Sequence, residues 1–173
     1  MKNSFNTGGN PTIMLYNMKK DVHSRFVIFE NLAKVLIRRQ LSNNFIFLTR
    51  YFGSFEEIVS KYKLDISSLD IFVINFLNKH MHSLDLIGFE LNDYKSRCVK
   101  NLFFYEVKTK SSHNKAKFDI CFSSYNTYNF LKEKGFEVFL ISFILFENWN
   151  YSFNIHTLNS NKFRVYSRYK KIL

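Results

Sequence analysis

Between Val22 and Leu41 the apolar positions Val22, Phe26, Phe29, Ala33, Leu36 and Leu41 recur every three to four residues, with Arg25, Lys34, Arg38 and Arg39 mostly on the other faces. That period predicts an amphipathic helix. Phe45 to Phe52 is short, aromatic and β-branched, which predicts a strand. Ser54 followed by Glu57 makes an S-x-x-E capping box that opens a second helix to about Lys63. Ser67 or Ser68 starts a third segment to about His80; its Leu69, Phe72, Val73, Phe76 and Leu77 favour a helix, although Ile71 to Phe76 also tolerates a strand.

The second half changes character. Leu84 to Leu91, Asn101 to Lys108, Phe136 to Phe146 and Tyr151 to Leu158 are apolar runs separated by polar turns, and they read as strands. Between the second and third of them, Ser123 to Lys134 offers serine caps, Tyr125, Tyr128 and Leu131 at helical spacing, and Gly135 where a C-cap glycine belongs. A helix between two strands is long enough to be a crossover, so the expected fold is α/β, a mixed sheet with helices packed on it. Trp149, between Asn148 and Asn150, is expected to close a hairpin between the last two runs. Residues 1–20, broken by Gly8, Gly9, Asn10 and Pro11, read as a flexible arm ahead of one domain over 21–173.

Composition narrows the classes. The 173 residues carry 25 Lys and Arg against 14 Asp and Glu, a formal net charge of +11, and 46% of them are apolar. A chain of this size buries roughly 70% of its unfolded surface and needs no metal or disulfide to close a core. One proline and five glycines exclude a low-complexity linker. Cys98 and Cys121 have no C-x-x-C partner, which fits a reducing, cytoplasmic compartment and offers no zinc site. Met1 to Met18 lacks the apolar stretch of a secretion signal, and Phe136 to Phe146 is about half the length that spans a bilayer, so neither export nor a membrane partner is expected.

Charge then appears inside apolar strands at two places: Asp85, and the pair Glu106 and Lys108. Alternation puts Glu106 and Lys108 on one face of their strand, about 7 Å apart at Cα. If the Asp85 strand lies alongside, Asp85 and Glu106 can share one hard cation such as Mg²⁺, which takes one or two carboxylates plus water and phosphate oxygens. Lys108 would position a water or stabilise developing charge. The E-x-K spacing is weak by itself, since eight Glu and eighteen Lys give roughly 0.8 chance matches. Asp93-Tyr94-Lys95 is such an accident in a polar turn, whereas Glu106 and Lys108 close an apolar strand and are followed by a basic loop from Thr109 to Lys117. Buried charge of that kind calls for a partner or a metal. The competing reading is a salt-bridged cross-strand cluster at a sheet edge.

These residues resemble the PD-(D/E)XK, or restriction-endonuclease-like, nuclease superfamily, which includes archaeal Holliday-junction resolvases. The resemblance covers roughly residues 22–146: a leading helix with Glu30, Asp85 in a hydrophobic strand context, Glu106-Val107-Lys108 about twenty residues later, then a helix and a strand. It implies a restriction-endonuclease-like αβββαβ core, with extra helices inserted in the first half. It implies that Asp85 and Glu106 bind Mg²⁺, with Mn²⁺ as a substitute, and that Lys108 assists phosphodiester hydrolysis. Glu30 would match the helix acid that some members contribute; its alternative is a solvated partner of Lys34. Leu84 stands where the superfamily's name has proline.

The expected function is therefore a metal-dependent endonuclease acting on nucleic acid, with DNA favoured by the resemblance. A homodimer is left open, and the alternative is an inactive nucleic-acid-binding module of the same fold. Lys110, Lys115 and Lys117, with Arg164, Arg168 and Lys170 among the C-terminal aromatics, would grip phosphates and bases; an edge strand protected by charge is the equal alternative for the C-terminal segment. Ser124, Asn126 and Tyr128 also lie where the crossover helix would approach substrate. Glu90 points away from Asp85, and His80, His82 and His113 read as surface residues.

Overall fold

The structure is a computed structural model that describes residues 22–39, 45–49, 53–113, 117–146, 150–158 and 163–166. The expected arm over 1–20, Leu41, Lys115, Trp149, Arg168 and Lys170 lie outside the described residues. The chain is mixed α/β. A helix α1 (Val22–Arg38) leads to strand β1 (Phe45–Thr49), helices α2 (Phe55–Tyr62) and α3 (Ile71–His80), and strands β2 (Leu86–Leu91), β3 (Val99–Ser111) and β4 (Phe118–Cys121). Helix α4 (Phe122–Glu133) and strands β5 (Glu137–Leu145), β6 (Tyr151–Thr157) and β7 (Phe163–Tyr166) follow.

Five strands form one sheet in the order β1-β2-β3-β5-β6. The first three run antiparallel as a meander, β5 returns parallel to β3 through the α4 crossover, and β6 closes back antiparallel on β5. Strand β3 is thus central, paired on both sides. Alternation splits its side chains between two cores: Tyr105 and Val107 join Leu86, Ile141 and Phe143 beneath Phe29, Ala33, Leu36 and Ile37 of α1. Leu102 and Phe104 face the other way, into a larger cluster with Ile87, Phe89, Val138 and Leu140 that Tyr128 and Leu131 of α4 and Phe55, Ile58, Val73 and Leu77 of α2 and α3 cover. Strands buried on both faces read as near-continuous apolar runs, which is why β5 is hydrophobic apart from Glu137 at its start and the buried Ser142.

Local signals explain most boundaries. The capping box is present: Ser54 accepts from the Glu57 N–H, and the Glu57 carboxylate accepts from the Ser54 N–H. Gly135 adopts φ +86°, the left-handed turn a glycine makes without steric cost, one residue beyond Lys134, the C-cap of α4. Helix α3 begins later than Ser67 or Ser68, because the Asp70 carboxylate, accepting the Phe72 N–H, is its cap. The serines do not cap α4 either; Cys121 occupies the cap position without a side-chain cap bond. Strand β3 overruns its expected end, so the basic loop begins after Ser111 rather than at Thr109. Its last residues, Thr109, Lys110 and Ser111, are held by pairing with Phe143, Ile144 and Leu145, a long-range term that local polarity does not reveal.

The C-terminal basic segment contributes β7, which pairs with β4 in a separate two-stranded parallel sheet. No helix among the described residues is long and apolar enough to cross a membrane.

Candidate active site

The sheet brings Asp85, Glu106 and Lys108 together. Strand pairing ends at Leu86 with Tyr105, so Asp85, one residue earlier, comes abreast of Glu106. Asp85 therefore stands just before β2 rather than inside it, after the turn Met81–Ser83 and the fully buried Leu84. Instead of continuing the ladder by its main chain, it does so by its side chain: Oδ2 accepts the Val107 N–H at 2.9 Å. Alternation puts Asp85, Glu106 and Lys108 on the α4 side of the sheet, where the apolar row Leu102 and Phe104 gives way to charge.

Burial sets the electrostatics. Glu106 is 1% exposed and Asp85 9%. The Lys108 ammonium forms a close ion pair with Glu106 Oε1, and 22% of the Lys108 side chain remains open to solvent. Glu106 Oε2 is buried and has no hydrogen-bond partner among the described groups. Burial, with the Asp85 carboxylate behind it, pushes the Glu106 carboxyl up, and the Lys108 charge only partly opposes this. For Lys108, burial favours the neutral amine, but the Glu106 and Asp85 carboxylates more than offset it and hold the ammonium above the ordinary lysine range. Two carboxylates against one ammonium leave the buried group one negative charge in excess. A proton on Glu106 or a cation beside it removes that excess.

The fit to a metal follows from the same atoms. An orphaned, buried carboxylate oxygen next to a second carboxylate is a hard-oxygen donor set, which suits Mg²⁺ or Mn²⁺ when water and substrate oxygens complete the shell. Among the described residues no three His, Cys, Asp or Glu side chains converge on one point, so an all-protein cage is not offered. The pair is also not at a sheet edge, because β3 is the middle strand.

Tyr128 is expected to approach substrate from α4, and its burial corrects this: it is fully buried and meets the main chain of Asp85 from inside the core. Its hydroxyl accepts the Asp85 N–H at 3.3 Å and donates to the Tyr105 carbonyl at 3.2 Å. Ser124 is half-buried against the Cys121 thiol at 3.2 Å, and Asn126 is exposed. Cys121 also lies close enough to Lys108 for their charges to interact; burial raises its thiol pKa, and hydrogen bonding with Ser123 and Ser124 together with the Lys108 charge brings it below the ordinary value.

Glu30 does not behave as a solvated helix acid. It is 3% exposed on α1, and its charge acts on Lys34 one turn away, where burial lowers the lysine pKa and Glu30 partly restores it. The helix it sits on covers the sheet face opposite Glu106 and Lys108. Lys110 extends the Glu106–Lys108 face, with its ammonium 4.6 Å from the centre of the Phe118 ring. Lys117 is exposed just before β4, and Arg164 on β7 is engaged by Asp119 in a two-pronged pair at 3.0 and 3.3 Å. Lys115, Arg168 and Lys170 lie outside the described residues.

The remaining polar candidates have ordinary partners. Glu90 pairs with Lys100 at 2.8 Å, and Asp93 closes a turn by accepting the N–H groups of Lys95 and Ser96. His80 lies against the Phe76 ring and is partly exposed, while His82 and His113 are exposed. Comparison with known protein families, with curated proteins and with solved structures returns no match for this chain.

Proposed function

We propose that the protein is a divalent-metal-dependent nuclease that hydrolyses phosphodiester bonds in nucleic acid, DNA in the first instance. The observation that carries this reading is Glu106: a carboxylate 1% exposed on the central strand, with one oxygen on Lys108 and the other without a hydrogen-bond partner, beside the Asp85 carboxylate. A structural ion pair gains little from a second buried carboxylate, whose charge makes the first harder to ionise. A site that collects a metal needs that excess of negative charge.

In this reading Asp85 and Glu106 would hold Mg²⁺ where the β2–β3 pairing ends. The bound ion supplies Lewis acidity toward the phosphate and a water of lowered pKa. Lys108, kept protonated by its two carboxylate neighbours, meets the negative charge that develops on the phosphorus oxygens. Val107 and Tyr128 fix Asp85 so that the two carboxylates keep their separation. Lys110 and Lys117 beyond the site, and Arg164 in its pair with Asp119, favour an approaching phosphate backbone.

Leaving aside β4, which that order does not contain, α1, strands β1, β2 and β3, the α4 crossover and parallel β5 run in the αβββαβ order that the resemblance to the PD-(D/E)XK superfamily implies, which supports this reading. Helices α2 and α3 lie between β1 and β2.

The test is cleavage of labelled DNA and RNA substrates, single-stranded, duplex and branched, in Mg²⁺, Mn²⁺ or EDTA, comparing the protein with Glu106→Gln and Lys108→Ala. Metal-dependent cutting that both substitutions abolish is expected. Nucleic-acid binding without cutting in any metal would overturn the nuclease reading in favour of a binding module.

A further inference from the structure

Among the described residues, the Tyr128 phenol is a fully buried hydroxyl that reaches the site without belonging to the metal-binding or charge-stabilising set. Burying a phenol costs free energy unless its oxygen is hydrogen-bonded, and a merely space-filling position on α4 would be served as well by phenylalanine. Here the oxygen makes two bonds: it accepts from the main chain of Asp85, just before β2 begins, and donates to the carbonyl of Tyr105 on β3. Asp85 is consequently held from both ends, at its N–H by Tyr128 and at its carboxylate by the Val107 N–H.

We propose that Tyr128 is a positioning residue of the Asp85–Glu106 metal site, its hydroxyl clamping the main chain of Asp85 to β3. The proposal rests on the metal-dependent reading above.

A residue that acts through Asp85 changes how tightly metal is held, not how substrate is touched. Outer partners of metal ligands are typically worth about 10–100-fold in metal affinity. Tyr128→Phe removes the hydroxyl and keeps the ring, so the core cluster that joins α4 to the sheet keeps its packing. We expect the Mn²⁺ or Mg²⁺ concentration for half-maximal cleavage to rise about tenfold or more in this variant, with cleavage recovering to within a few-fold at saturating metal. The KM for nucleic acid should be unchanged, because a fully buried side chain meets no substrate.

Two further measurements separate positioning from plain structural support. The Asp85 amide should exchange its hydrogen faster in Tyr128→Phe, since the donor has lost its acceptor. Tyr125→Phe, a hydroxyl loss one helical turn earlier where the ring packs on Phe163, should leave both the metal requirement and the Asp85 amide unchanged. A Tyr128→Phe protein with the parent's metal requirement, or with a rate loss that excess metal does not repair, overturns the proposal while the nuclease reading stands. A parent protein that neither binds Mn²⁺ by electron paramagnetic resonance nor cleaves overturns both.

Discussion

Asp85 Oδ2 accepts the backbone N–H of Val107 at 2.9 Å, so the carboxylate that completes the candidate site also finishes the hydrogen bonding of the central strand. The two roles can be separated by substitution. Asparagine keeps a carbonyl oxygen for the Val107 N–H but loses the charge, whereas alanine loses both. We expect Asp85→Asn and Asp85→Ala to abolish metal-dependent cleavage alike. Only Asp85→Ala should destabilise the fold, by about 1–3 kcal/mol, the cost of leaving a buried N–H without an acceptor. Urea denaturation of both variants in EDTA checks this; equal stability losses would show that the charge and not the hydrogen bond supports β3.

The buried Glu106 carboxyl makes metal-free stability depend on pH in a direction opposite to most carboxylates. An ordinary glutamate titrates near 4.5, whereas burial and the Asp85 charge push Glu106 up to about 8. The folded protein thus holds a proton that the unfolded chain has released. The contribution is fully present below the unfolded value near 4.5 and is lost as pH rises through about 8. In EDTA the urea midpoint of the parent, compared at about pH 5 and about pH 9, should fall more than that of Glu106→Gln, which cannot titrate there. Adding Mg²⁺ should restore the parent at the higher pH, because the cation takes the place of the proton. Equal pH dependence in the two proteins would contradict the buried, proton-holding state of Glu106.

Much of this site could be read along the chain, and what could not be read has a physical origin. Glu106 and Lys108 were visible because two strong charges interrupt an apolar strand, and alternation alone put them on one face. The capping box at Ser54 and the glycine after α4 were visible because cap chemistry is local. Tyr128 was not identifiable as a clamp, since a tyrosine at helical spacing looks the same whether its hydroxyl meets water or, as here, a main chain 43 residues away. Glu30 looked solvated because its helix is basic; its burial depends on how α1 settles on the sheet. The β4–β7 pairing joins Asp119 to Arg164 across 45 residues, a distance over which hydrophobic period carries no information.

Lys108 should be separable into a catalytic and a structural contribution. Removing the ammonium leaves Glu106 and Asp85 buried together without their cation, and breaking a buried pair typically costs about 3–5 kcal/mol when the remaining group stays charged. Glu106 avoids that cost by taking a proton, so we expect Lys108→Met to be least destabilised at low pH and progressively less stable as pH rises. Cleavage should be lost at every pH. Thermal unfolding of Lys108→Met across the pH range tests this, and a stability loss that does not vary with pH would contradict the coupling between the two side chains.

Asp119 holds Arg164 in an exposed two-pronged pair, and this predicts how the basic surface engages a polyanion. A guanidinium already facing a carboxylate offers less net charge to a phosphate than an open ammonium does. Lys117→Ala should therefore weaken nucleic-acid binding and reduce the slope of log affinity against log salt by about 1, the signature of one lost phosphate contact. Asp119→Ala should do the reverse, tightening binding and steepening the slope, because Arg164 is released and a negative charge is removed from the same surface. Both changes should appear equally for different sequences of the same length, since contacts to phosphate carry no base information. Fluorescence anisotropy titrations at several salt concentrations measure both slopes in EDTA, which keeps binding apart from cleavage. If Asp119→Ala binds no better than the parent, the β4–β7 sheet lies away from the nucleic-acid path and Arg164 serves only to join its two strands.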